Sequence, residues 1–297
     1  MMNTNLFTTK IAASSLIVGL TVMFSCNTED RLTINDTQEI TEESVTDSYY
    51  SDMDDMASVT VSAPADNQYS GGRVASTLTV QDLRFCPGTV ITITPGANST
   101  LNVPNGVITV DFGTIGCTDQ KGNIRTGKLI FTYNKWRFKP GSTIITTTDN
   151  YTINGVKLEG TRTLTNLNNE SDDPATSPRK FNAVLTGGKA AFLADGTVAE
   201  RESDITWTLS NSGSAADNYL AIEPTSIANG KTRLGKVYEV SVSESLIYKR
   251  FCGLAVTGIK KYNLNGEKEI TIDYGNGDCD KSVVVTVNGT SRNFNIN

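Results

Sequence analysis

The chain has 297 residues, enough for one large or two modest domains, with 38% hydrophobic and 20% charged residues. It contains no histidine, which excludes Ser-His-Asp and Cys-His catalysis and imidazole zinc sites. The formal charge of −6 is uneven, because residues 29–56 hold ten acidic side chains against Arg31 alone; no basic, aromatic-interleaved stripe follows, so nucleic acid is not expected as a partner.

At the N-terminus, Lys10 precedes an uncharged, largely apolar run from Ile11 to Phe24. The run is too short to span a bilayer as a helix, which takes about 20 residues, and has the form of an export signal. It ends at Met23-Phe24-Ser25-Cys26, which resembles the bacterial lipobox. The resemblance implies residues 1–25 as a lipoprotein signal peptide, diacylglycerol on the Cys26 thiol, and cleavage that leaves Cys26 first. The lipid bilayer is then a partner through acylated Cys26. A plain secretory signal is the alternative, but it would leave an odd thiol in an oxidising compartment.

Residues 26–68 are polar and acidic, with few large aliphatics. Such a composition predicts a disordered acidic tether, in which Met53 and Met56 have no role. Glu29-Asp30 resembles the acidic export signal of surface lipoproteins in the Bacteroidota. That implies an outer-membrane protein facing the cell exterior; a generic solvating spacer is the alternative.

From Arg73 onward the chain is a succession of short alternating runs such as Thr89–Thr94, Val107–Phe112, Lys128–Tyr133 and Ser142–Thr148. Forty threonines favour strands, and Asn-Gly at 154–155, 229–230, 265–266 and 288–289, with Asp195-Gly196, supplies hairpin turns. The fold class expected is all-β, an antiparallel sandwich-like body. The polar segment Asn168–Pro178 reads as an exposed loop dividing it into units over 69–170 and 171–297.

The most specific signal is internal. Ile108–Cys117 aligns without gaps on Ile270–Cys279, sharing Ile-Thr-(Val/Ile)-Asp-(Phe/Tyr)-Gly and a terminal cysteine. Each block follows an Asn-Gly turn, has an upstream cysteine (Cys86 or Cys252) and is followed by an acidic residue, Asp119 or Asp280. Two related units are expected, and the repeat selects Cys86–Cys117 and Cys252–Cys279 among the three possible pairings. Each bridge would close a loop of about 30 residues and stabilise by roughly 3–4 kcal/mol. Zinc on four cysteines is the rival use, but no Cys-x₂₋₄-Cys knuckle is present.

The blocks Asp111–Lys128 and Asp273–Asp280, together with Gly160–Asn166, resemble a family of secreted and surface lipoproteins of the Bacteroidota with repeated Asp-(Phe/Tyr)-Gly-x-x-x-Cys motifs. The resemblance covers most of residues 80–297. It bears on localisation and fold and implies no particular activity.

Three groups remain as candidate sites. Asp273, Asn276, Asp278 and Asp280 are oxygen-rich enough for a weak calcium site, or form turns that bond their own backbone. Asp111 and Asp273 could act as a glycosidase pair, or each could hold the turn ahead of its cysteine. Trp136, flanked by Lys135 and Arg137, is the candidate glycan-binding aromatic, whereas Trp207 alternates with Ile205 and Leu209 as a core residue would. Asn98, Asn150, Asn169 and Asn288 match Asn-x-Ser/Thr, which a bacterial source leaves unused. No cofactor is called for. The expected function is a non-enzymatic, membrane-anchored module that binds a glycan or an envelope protein or makes structural contacts. A carbohydrate-binding accessory and an Asp/Glu-dependent secreted hydrolase are the alternatives.

Overall fold

Asparagine and glycine tolerate the positive φ that a two-residue hairpin demands. Asn154-Gly155, Asn265-Gly266 and Asn288-Gly289 all take it, and each joins two strands in the computed structural model of the protein. The structure describes residues 32–61, 75–100, 102–173, 176–210, 218–249, 252, 254–280 and 282–295. Asn229-Gly230 behaves differently: it lies inside a strand, with Asn229 opposite Glu239, and the reversal comes at Thr232–Lys236.

The chain divides into two compact units. The first comprises residues 49–171 and 181–202; the second comprises residues up to 48, 172–180 and 203–297. The cut near 171 falls in the loop expected to divide the chain, but residues 181–202 belong with the first unit.

The all-β, antiparallel expectation holds. In the first unit the strands are β1 (Ser76–Thr77), β2 (Val90–Pro95), β3 (Gly106–Asp111), β4 (Cys117–Thr118), β5 (Ile124–Tyr133), β6 (Thr143–Ile153), β7 (Val156–Asn166) and most of β8 (Arg179–Phe192). They pair in the order β1-β2-β3-β5-β6-β7-β8, with β4 beside β5. Strand β9 (Thr197–Leu209) begins in the first unit and ends in the second. The second unit continues with β10 (Tyr219–Ile222), β11 (Ile227–Lys231), β12 (Val237–Lys249), β13 (Ala255–Leu264), β14 (Lys268–Asn276), β15 (Ser282–Val287) and β16 (Thr290–Asn295). Its order is β9-β10-β12-β13-β14-β15-β16, with β11 on β12. Apart from β4 and β11, which sit off the path, each unit is therefore a meander in which a strand pairs with the next.

Both expected disulfides are present. Cys86–Cys117 lies in the first unit and Cys252–Cys279 in the second, with Cα separations of 5.9 and 5.3 Å.

The tether expected over 26–68 is corrected where it is described; residues 26–31 and 62–68 lie outside the described residues. Ile34–Val61 is a single helix, α1, with no glycine or proline in its length. Its start is a capping box: the Asp36 N–H donates to Thr33 Oγ1 (3.2 Å), and the Thr33 N–H donates back to Asp36 Oδ2 (2.7 Å). Hydroxyls inside the helix return their protons to the preceding turn, as Ser58 does to the Asp54 carbonyl and Thr60 to that of Met56. That self-satisfaction lets them be buried. Asp36, Ile40, Glu43, Thr46, Tyr50, Met53, Ala57 and Val61 form a buried stripe at helical spacing. In the second unit, Ile40 packs with Tyr238, Val240, Tyr262, Leu264, Ile270 and Val285 of the sheet. Met53 and Met56, expected to be idle, are core residues of the helix.

Candidate functional site: a basic row on the sheet that holds an acidic helix

Alternation along β7 sends Val156, Leu158 and Leu164 inward, and Arg162 is in phase with them. In β5, Arg125 likewise shares the buried side with Leu129, Phe131 and Tyr133, across a bulge at Gly127. A guanidinium at such a position must find an anion, because burying it unpaired would cost several kcal/mol. The acids come from α1.

In the first unit, Arg162 donates from Nε and Nη2 to Asp54 Oδ2, at 3.0 and 2.8 Å. Arg125, wholly buried, donates from Nη1 to Asp52 Oδ2 (2.6 Å) and Tyr151 Oη (2.6 Å), and from Nε to Asp119 Oδ2 (3.0 Å). Arg84 makes a two-pronged contact with Asp82 (2.8 and 2.9 Å) and reaches Asp55 Oδ2 at 2.8 Å. Tyr50 Oη donates to the Glu159 carbonyl at 2.8 Å, which fixes the helix against β7.

Within the second unit the pattern recurs with lysines. Asp36 pairs with Lys268, Glu43 accepts from Lys260 Nζ (3.4 Å) and Tyr262 Oη (3.2 Å), and Glu42 meets Arg233 Nε at 3.0 Å. Asp36, Glu43, Tyr50 and Asp54 follow one face of α1, so its polar stripe is its docking stripe.

Burial opposes the charges of Asp36, Asp82, Arg84, Arg125 and Lys260, and their partners win; at Asp55 desolvation outweighs Arg84 and the carboxyl is pushed up. Desolvation alone would raise Asp82, yet the bonds and charge of Arg84 hold its carboxyl below the ordinary range; Asp36 is held down in the same way by Lys268 and Thr33. Desolvation would lower Lys260, but Glu43 and the surrounding tyrosines keep it well above its ordinary value. Arg84 and Arg125 are likewise raised despite burial. The phenols of Tyr151 and Tyr262 are pushed up mainly by desolvation.

The residues singled out from the sequence fall elsewhere. Cys26 lies outside the described residues. Asp111 Oδ1 accepts from the Gly113 N–H (2.8 Å) and Asp273 Oδ1 from that of Gly275 (2.9 Å), so the two blocks build the same turn ahead of their cysteines. Asp119 and Asp280 also match, accepting from Lys121 and Ser282 at 2.9 Å each. In the calcium candidate, Asn276 accepts from the Asp278 N–H at 3.3 Å, and the side chains of Asp273, Asn276 and Asp280 all serve backbone turns. Among the described residues no group of three acidic or cysteine side chains is placed to hold a metal. Trp136 is half-buried in the β5–β6 loop, next to Arg137, whose guanidinium lies over the rings of Phe138 and Phe181 at 4.9 and 5.0 Å. Trp207, expected in the core, is only half-buried, opposite Ile222 on β10.

Asp52, Asp54, Arg84, Arg125, Arg162 and Lys260 were not found from the sequence. The signal available was a charged residue in phase with inward apolar positions. No helix among the described residues is long and apolar enough to cross a membrane. No protein-family model, curated protein or solved structure matches the chain.

Proposed function

We propose that the chain is a bacterial outer-membrane lipoprotein, anchored through Cys26 and displayed at the cell surface, whose β-rich body binds or makes structural contacts without catalysis. The observation that carries this reading is the apolar run ending at Ser25-Cys26, eight residues ahead of the start of α1 at Ile34. The resemblance of Glu29-Asp30 to a surface-export signal supports the outward orientation. The non-enzymatic part is supported by where the acids go: the buried or half-buried carboxylates of Asp52, Asp54, Asp82 and Asp119 are held by arginines. The matching turns and disulfides of the two sequence blocks support descent of both units from one repeat.

Cys26→Ala tests the anchor. Cells expressing it should release the protein to the soluble fraction, while the parent chain partitions with membranes and yields an N-terminal peptide bearing acyl mass on Cys26. Recovery of a free thiol at Cys26 in the parent would sink the proposal. A glycan-binding accessory is the second reading, favoured by the Trp136–Phe138 loop with its exposed Phe138 ring. Binding on a glycan array that Trp136→Ala abolishes would establish it.

A further inference from the structure

We infer that one end of the second unit, carrying Ile34, Leu234 and Val237, rests directly on the lipid bilayer; the inference builds on the acylation of Cys26 proposed above. Two independent observations lead there. The first is reach. Because α1 starts at Ile34 and is bound into the fold, the segment from Cys26 to Ile34 spans at most about 28 Å even fully extended. A tether running to residue 68 would let the body float; this one does not.

The second observation is what the tethered end presents. Asp36, in the first turn of α1, pairs with Lys268 at the start of β14. The turn before β14 is tied to β12: the Asn265 N–H donates to the Val237 carbonyl (2.8 Å), and the Val237 N–H donates to Asn265 Oδ1 (3.0 Å). The start of α1 and the β11–β12 turn therefore share one end of this unit. That turn, Thr232-Arg233-Leu234-Gly235-Lys236, is closed by Gly235 N–H to the Thr232 carbonyl (2.9 Å) and Thr232 N–H to that of Lys236 (2.8 Å). A closed turn of this kind presents its tip with little ordering cost left to meet on binding. Ile34 is 64% exposed, Leu234 49% and Val237 55%.

Exposed apolar residues scattered singly need no explanation. These three gather at the end that the anchor brings to the membrane. Lys231 and Lys236 flank the tip with aliphatic stems that can lie along the interface while their ammonium groups reach the headgroups. Glu267 and Glu269 at the same end offset the lysines, so the contact is apolar rather than a response to anionic lipid. A short leash supplies an effective concentration in the millimolar range, so a weak intrinsic contact is occupied.

The test uses the mature chain, acylated at Cys26, in phosphatidylcholine vesicles with brominated acyl chains. Trp136→Phe and Trp207→Phe remove the native signals, and Leu234→Trp places one at the turn. Its emission should be quenched at least twofold. A Tyr219→Trp reporter, opposite Lys249 at the far end of the 13-residue strand β12, should keep its emission. A Gly/Ser spacer of about 30 residues inserted after Asn27 should reduce quenching at 234 several-fold. Protein that pellets with vesicles but shows no quenching at 234 overturns the docking and leaves the anchor standing. Absence of quenching together with a dimer by light scattering overturns it in favour of self-association through this end. A free Cys26 thiol with no vesicle binding overturns the anchor and the docking together.

Discussion

Arg125 is where the electrostatic account of this molecule can be tested most sharply. Its guanidinium is wholly buried, and so is the Asp119 carboxylate it bonds, while Asp52 on α1 keeps about a fifth of its exposure. Removing one member of such a cluster leaves buried charge uncompensated, whereas exposed pairs such as Lys128–Asp111 (3.3 Å) contribute less than about 1 kcal/mol. Arg125→Met should therefore cost about 3–5 kcal/mol in urea unfolding. Asp52→Asn retains an acceptor and leaves Asp119 in place, so it should cost about 1 kcal/mol. The double variant should be less destabilised than the sum, because Asp52→Asn then removes an orphaned anion. Strict additivity would mean that the helix is not held by this contact.

At the scale of elements, strands, turns and disulfide pairing were legible in the sequence, and the helix was not. Strand alternation and Asn-Gly turns act over a few residues, so Asn154-Gly155 between β6 and β7 could be recognised directly. The misread Asn229-Gly230 lacks an apolar run behind it; Lys231-Thr232-Arg233 follows. Helix α1 was missed because its buried face interleaves acids and hydroxyls (Asp36, Glu43, Thr46, Asp54) with apolar residues (Ile40, Met53, Ala57, Val61), which dilutes the hydrophobic period. The capping box Thr33-Ile34-Asn35-Asp36 and the absence of glycine or proline were visible local signals. What lay beyond the sequence was the set of matching cations, far along the chain: Arg125 for Asp52, Arg162 for Asp54, Lys260 for Glu43.

The bulges were equally hidden. Gly127 in β5 and Gly258 in β13 adopt φ of +73° and +105°, and a Cβ on either would meet a carbonyl oxygen (Asn150 or Ser245) at 2.2 Å. Gly155 also has positive φ (+76°) but open space around it. Gly127→Ala and Gly258→Ala should each cost more than about 2 kcal/mol by thermal or urea unfolding, against about 1 kcal/mol for Gly155→Ala. Equal costs at all three would show that conformation alone, not the close backbone approach, sets the penalty.

For the whole molecule, the uneven charge of the sequence becomes a prediction about pH. Each unit takes part of the acidic segment and matches it with buried cations of its own. Asp36 in one unit and Asp82 in the other have carboxyls held below their ordinary values. Groups of that kind contribute stability in full above about pH 4 and lose it as pH falls through their depressed folded values. Lys260, Tyr262 and Tyr151 lie above their ordinary values. The folded chain then keeps protons that the unfolded chain releases, so stability is intact below about pH 10 and declines as pH rises beyond it. Between these limits the sequence offers no imidazole to titrate. The urea midpoint, followed by far-UV circular dichroism with disulfides intact, should be flat from about pH 5 to 9 and fall on both sides. A marked slope between pH 5.5 and 8 would require a desolvated group titrating there; among the acids of α1 the candidate is Asp55, whose carboxyl desolvation pushes above its ordinary value beside Arg84.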